Sequence, residues 1–148
     1  MARRRESERH FSGSPWEPEV GYCRALRRGH QVFVSGTAPV AAGGGVHAPG
    51  DAYAQARRCL ELAVEALRSL GAAPRDVVRT RLYVTDVSRW REVGRAHREV
   101  FGAHPPAATM VEVQALIDPD MLVEIEVDAV TSRPGRRRRA QPRARKTR

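Results

Sequence analysis

The sequence predicts an α+β domain in which two helices cover one face of a single sheet. Three observations carry that expectation. Two segments, around residues 52–70 and 90–101, place apolar residues at helical spacing. Five others have the short apolar or alternating character of strands, and the last, LVEIEVDAV, alternates strictly. Their order is β-β-α-β-α-β-β, and two amphipathic helices suffice for one face of such a sheet but not for both.

Residues 20–36 read as a hairpin, with VGYCRAL and QVFVSG flanking a turn at Arg28, Gly29 and His30. A loop with Gly43, Gly44 and Gly45 follows, without the Gly-Lys-Ser/Thr that a phosphate-cradling loop needs. Asp51 stands where a helix N-cap belongs. Behind it Ala56, Cys59, Leu60, Ala63, Val64, Leu67 and Leu70 make one face, and Gly71 and Pro74 end the helix. The strand VVRTRLYVT comes next, with Val78, Thr80, Leu82 and Val84 expected inside and Arg79, Arg81 and Tyr83 outside. Asp86 or Ser88 caps a second helix with the stripe Trp90, Val93, His97, Val100 and Phe101. Gly102, Pro105 and Pro106 stop it. ATMVEV and LVEIEVDAV complete the sheet, and the last strand turns Glu124, Glu126 and Asp128 to the uncovered face. That face must meet water or another subunit.

A chain of 148 residues suits one domain. Its net charge of +9 is confined to the end: residues 133–148 hold nine Lys/Arg and no acid, which leaves 17 basic and 17 acidic residues in 1–132. We therefore expect a flexible arm over 1–18, a domain over 19–132 and a disordered basic tail over 133–148. Cys23 and Cys59 lie 36 positions apart with no CxxC. The five histidines show no metal spacing. A metal site or disulfide framework is not expected, and a reducing cytoplasm is the expected compartment. No run approaches the roughly 20 apolar residues of a membrane span, so no membrane partner is expected.

Six segments are recognisable together: Tyr22, FVSGTAPV with Ser35, Gly36 and Pro39, AQARRCLE, VVRTRLYVTDV, HPPAATMVEV and LVEIEVDAV. In order and spacing they resemble the Rid family, the YjgF-like reactive-intermediate deaminases also called the endoribonuclease L-PSP family. The resemblance covers about residues 20–131. It implies a chorismate-mutase-like fold and a homotrimer with a small-molecule cleft between neighbouring subunits, with no cofactor. It also implies site residues. Tyr22 matches the family's cleft tyrosine, and Ser35 and Gly36 match its turn after the second strand. Glu124 matches the glutamate that holds the attacking water, a task open to a partly desolvated carboxylate. Backbone groups near Ala107, Ala108 and Thr109 would position the substrate.

One position departs from the pattern. Deaminase members carry an arginine two residues after the second proline, a planar fork suited to a carboxylate. Here that position is Ala108. Arg79 or Arg81 would be a substitute anion anchor, or would instead pair with the acidic ladder across the sheet. Ser35 lacks the GxSxG context of a nucleophile. Glu124 itself reads either as a water-activating base or as one more solvated member of the ladder.

Three functions remain open at this stage. One is a deaminase-type hydrolase acting on a small imine or enamine. Another is a non-catalytic metabolite-binding accessory or sensor. The third is a protein that associates nonspecifically with nucleic acid through residues 133–148, for which the tail offers charge but no aromatic residue for base stacking.

Overall fold

The structure, a computed structural model, describes residues 7–132. Six strands form one sheet: β1 (Glu8–His10), β2 (Ala25–Arg28), β3 (Gln31–Thr37), β4 (Val77–Val84), β5 (Ala107–Glu112) and β6 (Val123–Val130). Their spatial order is β1-β2-β3-β6-β4-β5. All neighbours are antiparallel except β4 and β5. The strictly alternating strand β6 thus lies between β3 and β4, with Val123, Ile125 and Val127 fully buried.

Helix α2 (Ala52–Ser69) forms where the apolar period requires it. The Asp51 side chain accepts from the Ala54 amide at 2.9 Å, and Gly71 leaves the helix at φ 76°, the left-handed conformation that suits a residue without Cβ. Its inner face carries Ala56, Cys59, Leu60, Ala63 and Leu67. A polar residue shares that face. Gln55 is fully buried; its Nε2 donates to Asp120 O at 2.8 Å and its Oε1 accepts from Leu122 N at 2.8 Å. Both groups of its amide are satisfied, which makes its burial tolerable, and the chain entering β6 is pinned to α2. Helix α3 (Trp90–Phe101) buries Val93, Ala96 and Phe101 and links the parallel pair β4 and β5, a connection that needs a crossover.

Four sequence expectations change. Residues 8–10, expected within a flexible arm, form edge strand β1, and Trp16–Val20 form a short helix, α1. The first hairpin strand is shorter than VGYCRAL: Gly21 turns the chain at φ 85° and pairing begins at Ala25. Val78 was expected inside but is 47% exposed. The register slips between Val77 and Arg79, so the bulge gives Val77 the inner position. Trp90 was placed on the buried stripe of α3 but is half exposed, with Arg91 stacked 4.4 Å from its ring. Position 90 is the first residue of the helix. The basic tail at 133–148 falls outside the described residues.

Candidate functional site

The site is built where β3 meets β6. The register between these strands breaks between Val34 and Thr37, and the irregularity contains Ser35 and Gly36. Ser35 is fixed from both sides: its amide donates to Arg24 O at 3.1 Å and its Oγ to Cys23 O at 2.8 Å. Its hydroxyl is therefore a structural donor, not a poised nucleophile. Gly36 lies directly beneath the Glu124 side chain. A Cβ at position 36 would come within 2.8 Å of Glu124 Oε1. The bulge and the missing side chain together make room for a carboxylate on the sheet.

Glu124 is half-buried and accepts no hydrogen bond from the described residues. Burial pushes its carboxyl above the ordinary value, the Arg24 guanidinium pulls it back, and the neighbouring Glu126 pushes it up again; the net direction is upward. Arg24 reaches the same glycine. Its Nη2 donates to Gly36 O at 2.6 Å, while its Nε is buried without a hydrogen-bond partner. Its guanidinium lies 5.6 Å from the centre of the Tyr22 ring.

Tyr22, Cys23 and Ser35 line an open groove of about 670 Å³, walled by Phe11, Leu26 and Phe33. The N-terminal segment forms its other side. Glu17 is 3% exposed and accepts from Ser12 N at 3.0 Å, Ser12 Oγ at 2.7 Å and Gly13 N at 3.3 Å. Burial acts to raise this carboxyl, but those bonds hold it below the ordinary range. Glu17 thus fastens the segment after β1 to α1 beside the groove.

Of the residues expected at the site, the chain brings together Tyr22, Ser35, Gly36 and Glu124. Arg81 does not join them: it pairs with Asp128 at 3.0 Å and Glu126 at 3.4 Å, the cross-strand ladder that was the alternative reading. Tyr83 also donates to Glu126, at 3.2 Å. Ala107, Ala108 and Thr109 lie on edge strand β5, separated from β6 by β4. Ala108 is opposite Thr80 and Glu124 opposite Tyr83, so alternation turns the side chain of residue 108 to the other face of the sheet. Sequence reading missed Arg24 and Glu17. Arg24 follows Tyr22 by two residues, and a charge set so close to the start of an apolar strand was the available signal. Glu17 sits in a Ser/Pro-rich stretch that gives no sign of burial. Among the described residues no group of three His, Cys, Asp or Glu is arranged as metal ligands, and no helix is long and apolar enough to cross a membrane.

The sequence pattern of the endoribonuclease L-PSP family matches residues 13–131. The chain belongs to this family, the Rid/YjgF proteins. It is 39% identical over 118 residues to the uncharacterized protein SCO2049 of Streptomyces coelicolor, a match covering 80% of this chain and 87% of that protein. It is 32% identical over 119 residues to the RutC family protein PYRAB12510 of Pyrococcus abyssi, covering 80% and 93%. Among solved structures, Rv2704 of Mycobacterium tuberculosis, a YjgF/YER057c/UK114 family member, superposes with a TM-score of 0.78 at 48% identity, covering 85% of this chain and all of that one. Escherichia coli TdcF, solved with bound serine, superposes with a TM-score of 0.70 at 26% identity, covering 84% and 94%. The single mixed sheet with helices is thus the fold of the Rid/YjgF proteins.

Proposed function

We propose that this Rid-family protein hydrolyses a small imine or enamine in the cleft at Gly36, with Glu124 as the general base and without an arginine at position 108. The observation that carries this reading is the state of Glu124. It is half-buried, raised toward the range useful for proton transfer, and left without a partner above a glycine that makes room for it. Water adds to the C=N carbon while Glu124 takes its proton. Glu124 passes that proton to the nitrogen, giving a carbinolamine; it then carries the carbinolamine hydroxyl proton to the same nitrogen as the C–N bond breaks, and ammonia leaves with a carbonyl product. Tyr22 closes one side of the cleft. A related structure solved with serine supports a ligand of amino-acid size.

Within one chain β5 is remote from Glu124. Phe33 is 41% exposed on the uncovered sheet face, and an apolar exposed side chain there favours burial against a second copy. In this reading the assembly is a homotrimer, and backbone groups near Ala107, Ala108 and Thr109 of one copy close the groove of the next. The reaction belongs in a reducing cytoplasm, where Cys23 and Cys59 remain thiols.

The test is ammonia release from freshly generated 2-iminopropionate and 2-iminobutyrate. Wild type and Ala108→Arg are compared, each with and without Glu124→Gln. The reading expects turnover that rises with Ala108→Arg and disappears with Glu124→Gln in both backgrounds. Turnover that survives Glu124→Gln, or none in any variant, overturns it. Ligand binding without turnover would instead make the protein a metabolite-binding accessory.

A further inference from the structure

One end of the sheet gathers cations from several parts of the chain. The turn between β2 and β3 lies there, with Arg28 opposite Gln31. Arg27 donates to Leu70 O and to Thr131 Oγ1, which brings the C-terminus of α2 and the end of β6 to that turn. Val77 pairs with Ala129, so the single helical turn Pro74–Asp76 before β4 stands beside them. β1 is antiparallel to β2 with Glu8 opposite Arg27, so the chain enters the sheet at this end. It also leaves there, where Thr131 N donates to His30 O at 2.8 Å. Arg28, Arg68 and Arg75 are exposed. None of these three side chains is ion-paired or hydrogen-bonded among the described residues. Residues 1–6 add Arg3, Arg4 and Arg5 against one acid, Glu6, and residues 133–148 add nine Lys/Arg and no acid. Of the acids near this end, Asp76 is already engaged: its Oδ2 accepts from the Ala73 amide at 2.8 Å.

We propose that this end of the molecule is a sequence-independent docking surface for duplex DNA, where Arg28, Arg68 and Arg75 act on the phosphate backbone together with the basic segments 1–6 and 133–148. A duplex carries one negative charge per roughly 1.7 Å of axis, and cations set against it at one place release its condensed counterions. The composition of the two segments selects among polyanions. Neither holds an aromatic residue, the stacking platform by which single strands are held. Residues 133–148 contain no Leu, Ile, Val, Met or Phe to enter a lipid surface. What they offer is charge alone, the requirement of a phosphate backbone read without its bases. Arg68 belongs to α2 and Arg75 to the connection that follows it, so their exposure does not depend on what covers the other sheet face. β3 begins at this end with Gln31 and reaches Gly36 near its other end. The surface is therefore separate from the cleft and independent of the hydrolase reading.

The test is fluorescence anisotropy of short labelled DNA duplexes of two unrelated sequences, titrated with the full-length protein over a range of salt. Wild type should bind both sequences alike, with affinity falling about a thousandfold between about 50 and 200 mM salt. Arg68→Gln with Arg75→Gln should lower the slope of log affinity against log salt by about two. The control pair is Arg91→Gln with Arg95→Gln, which removes the same charge from exposed positions of α3. That helix begins after Val84, at the far end of β4, and the control should leave the slope unchanged. Replacing Arg136, Arg137, Arg138 and Arg139 together by Gln should lower it further than the Arg68 and Arg75 pair does. Equal losses from the two pairs would mean that net charge acts without a defined surface, and no loss from the Arg68 and Arg75 pair would leave the folded end out of the contact; either result overturns the proposal. So does affinity that ignores salt, or tighter binding to the single strand or to phosphatidylserine vesicles than to the duplex.

Discussion

Glu124 Oε1 sits where a Cβ on Gly36 would be 2.8 Å away, so the carboxylate owes its position to the absence of a side chain on the neighbouring strand. Gly36→Ala tests this dependence. The added methyl has no room unless the carboxylate moves, and displacing a reacting group by about 1 Å can cost on the order of 100-fold in rate. Gly36 does not have a positive φ, so alanine brings no backbone strain. The expected outcome is imine hydrolysis lowered about 10- to 100-fold with a melting temperature close to wild type. A fully active Gly36→Ala protein would show that the carboxylate is not held by this contact.

Glu124→Gln should separate function from stability. Burial, opposed by Arg24 and aided by Glu126, holds this carboxyl above its ordinary value of 4.5. The folded state therefore keeps its proton to a higher pH than the unfolded chain. As pH rises from 4.5 through the folded value, the unfolded chain ionises first and stability is lost; below 4.5 the cost is absent. Glutamine keeps the shape and removes the charge. We expect the variant to melt about 2–4 °C above wild type at pH 7 and level with it near pH 4, while hydrolysis disappears. Melting curves at the two pH values check the sign.

Arg27 acts as a staple at the far end of β2. It is 4% exposed and donates through Nη1 to Leu70 O at 2.6 Å, through Nε to Gly29 O at 3.0 Å and through Nη2 to Thr131 Oγ1 at 2.8 Å. It thereby closes the C-terminus of α2, the hairpin turn and the end of β6 around one guanidinium, with its charge beside the negative end of the helix. Arg27→Met leaves buried acceptors without donors. We expect a loss of about 3 kcal/mol, read as a lower urea midpoint at unchanged slope. Arg27→Lys keeps the charge but one donor point, and should recover less than half.

The helices and strands were legible because burial imposes its period on the sequence. The α2 stripe, its Asp51 cap and its Gly71 stop can be read residue by residue, as can the alternation of β6. What could not be read arises from pairing across the sheet. The bulge that turns Val78 outward depends on where β4 slips against β6, and no local pattern records it. The strand order and the parallel pairing of β4 with β5 depend likewise on contacts far apart in the chain. The site shows the same division. Tyr22, Ser35, Gly36 and Glu124 were named through the family resemblance of their segments, not from local pattern. The placement of Arg24 against Gly36, and the opposite facing of residue 108, follow from register and became visible only in three dimensions.

His97 should make folding sensitive to mild acid. Its Nε2 lies 2.8 Å from Oγ1 of the fully buried Thr80, and its ring packs on Phe101 with centroids 4.8 Å apart. Burial holds the imidazole below its ordinary value of 6.5, so the folded protein keeps it neutral where the unfolded chain would protonate. Stability from this site is complete above 6.5 and is lost as pH falls from there through the folded value, since the unfolded state binds the extra proton first. Other groups titrate nearby in pH, and Glu124 acts in the opposite direction, so the comparison must be differential. The pair His97→Phe with Thr80→Val removes the titrating ring without orphaning the hydroxyl. Between pH 7 and pH 5.5 the wild type should lose more melting temperature than this variant, by about 2–4 °C. Parallel curves for the two proteins would mean that His97 titrates as if exposed and that its contact with Thr80 is not maintained in solution.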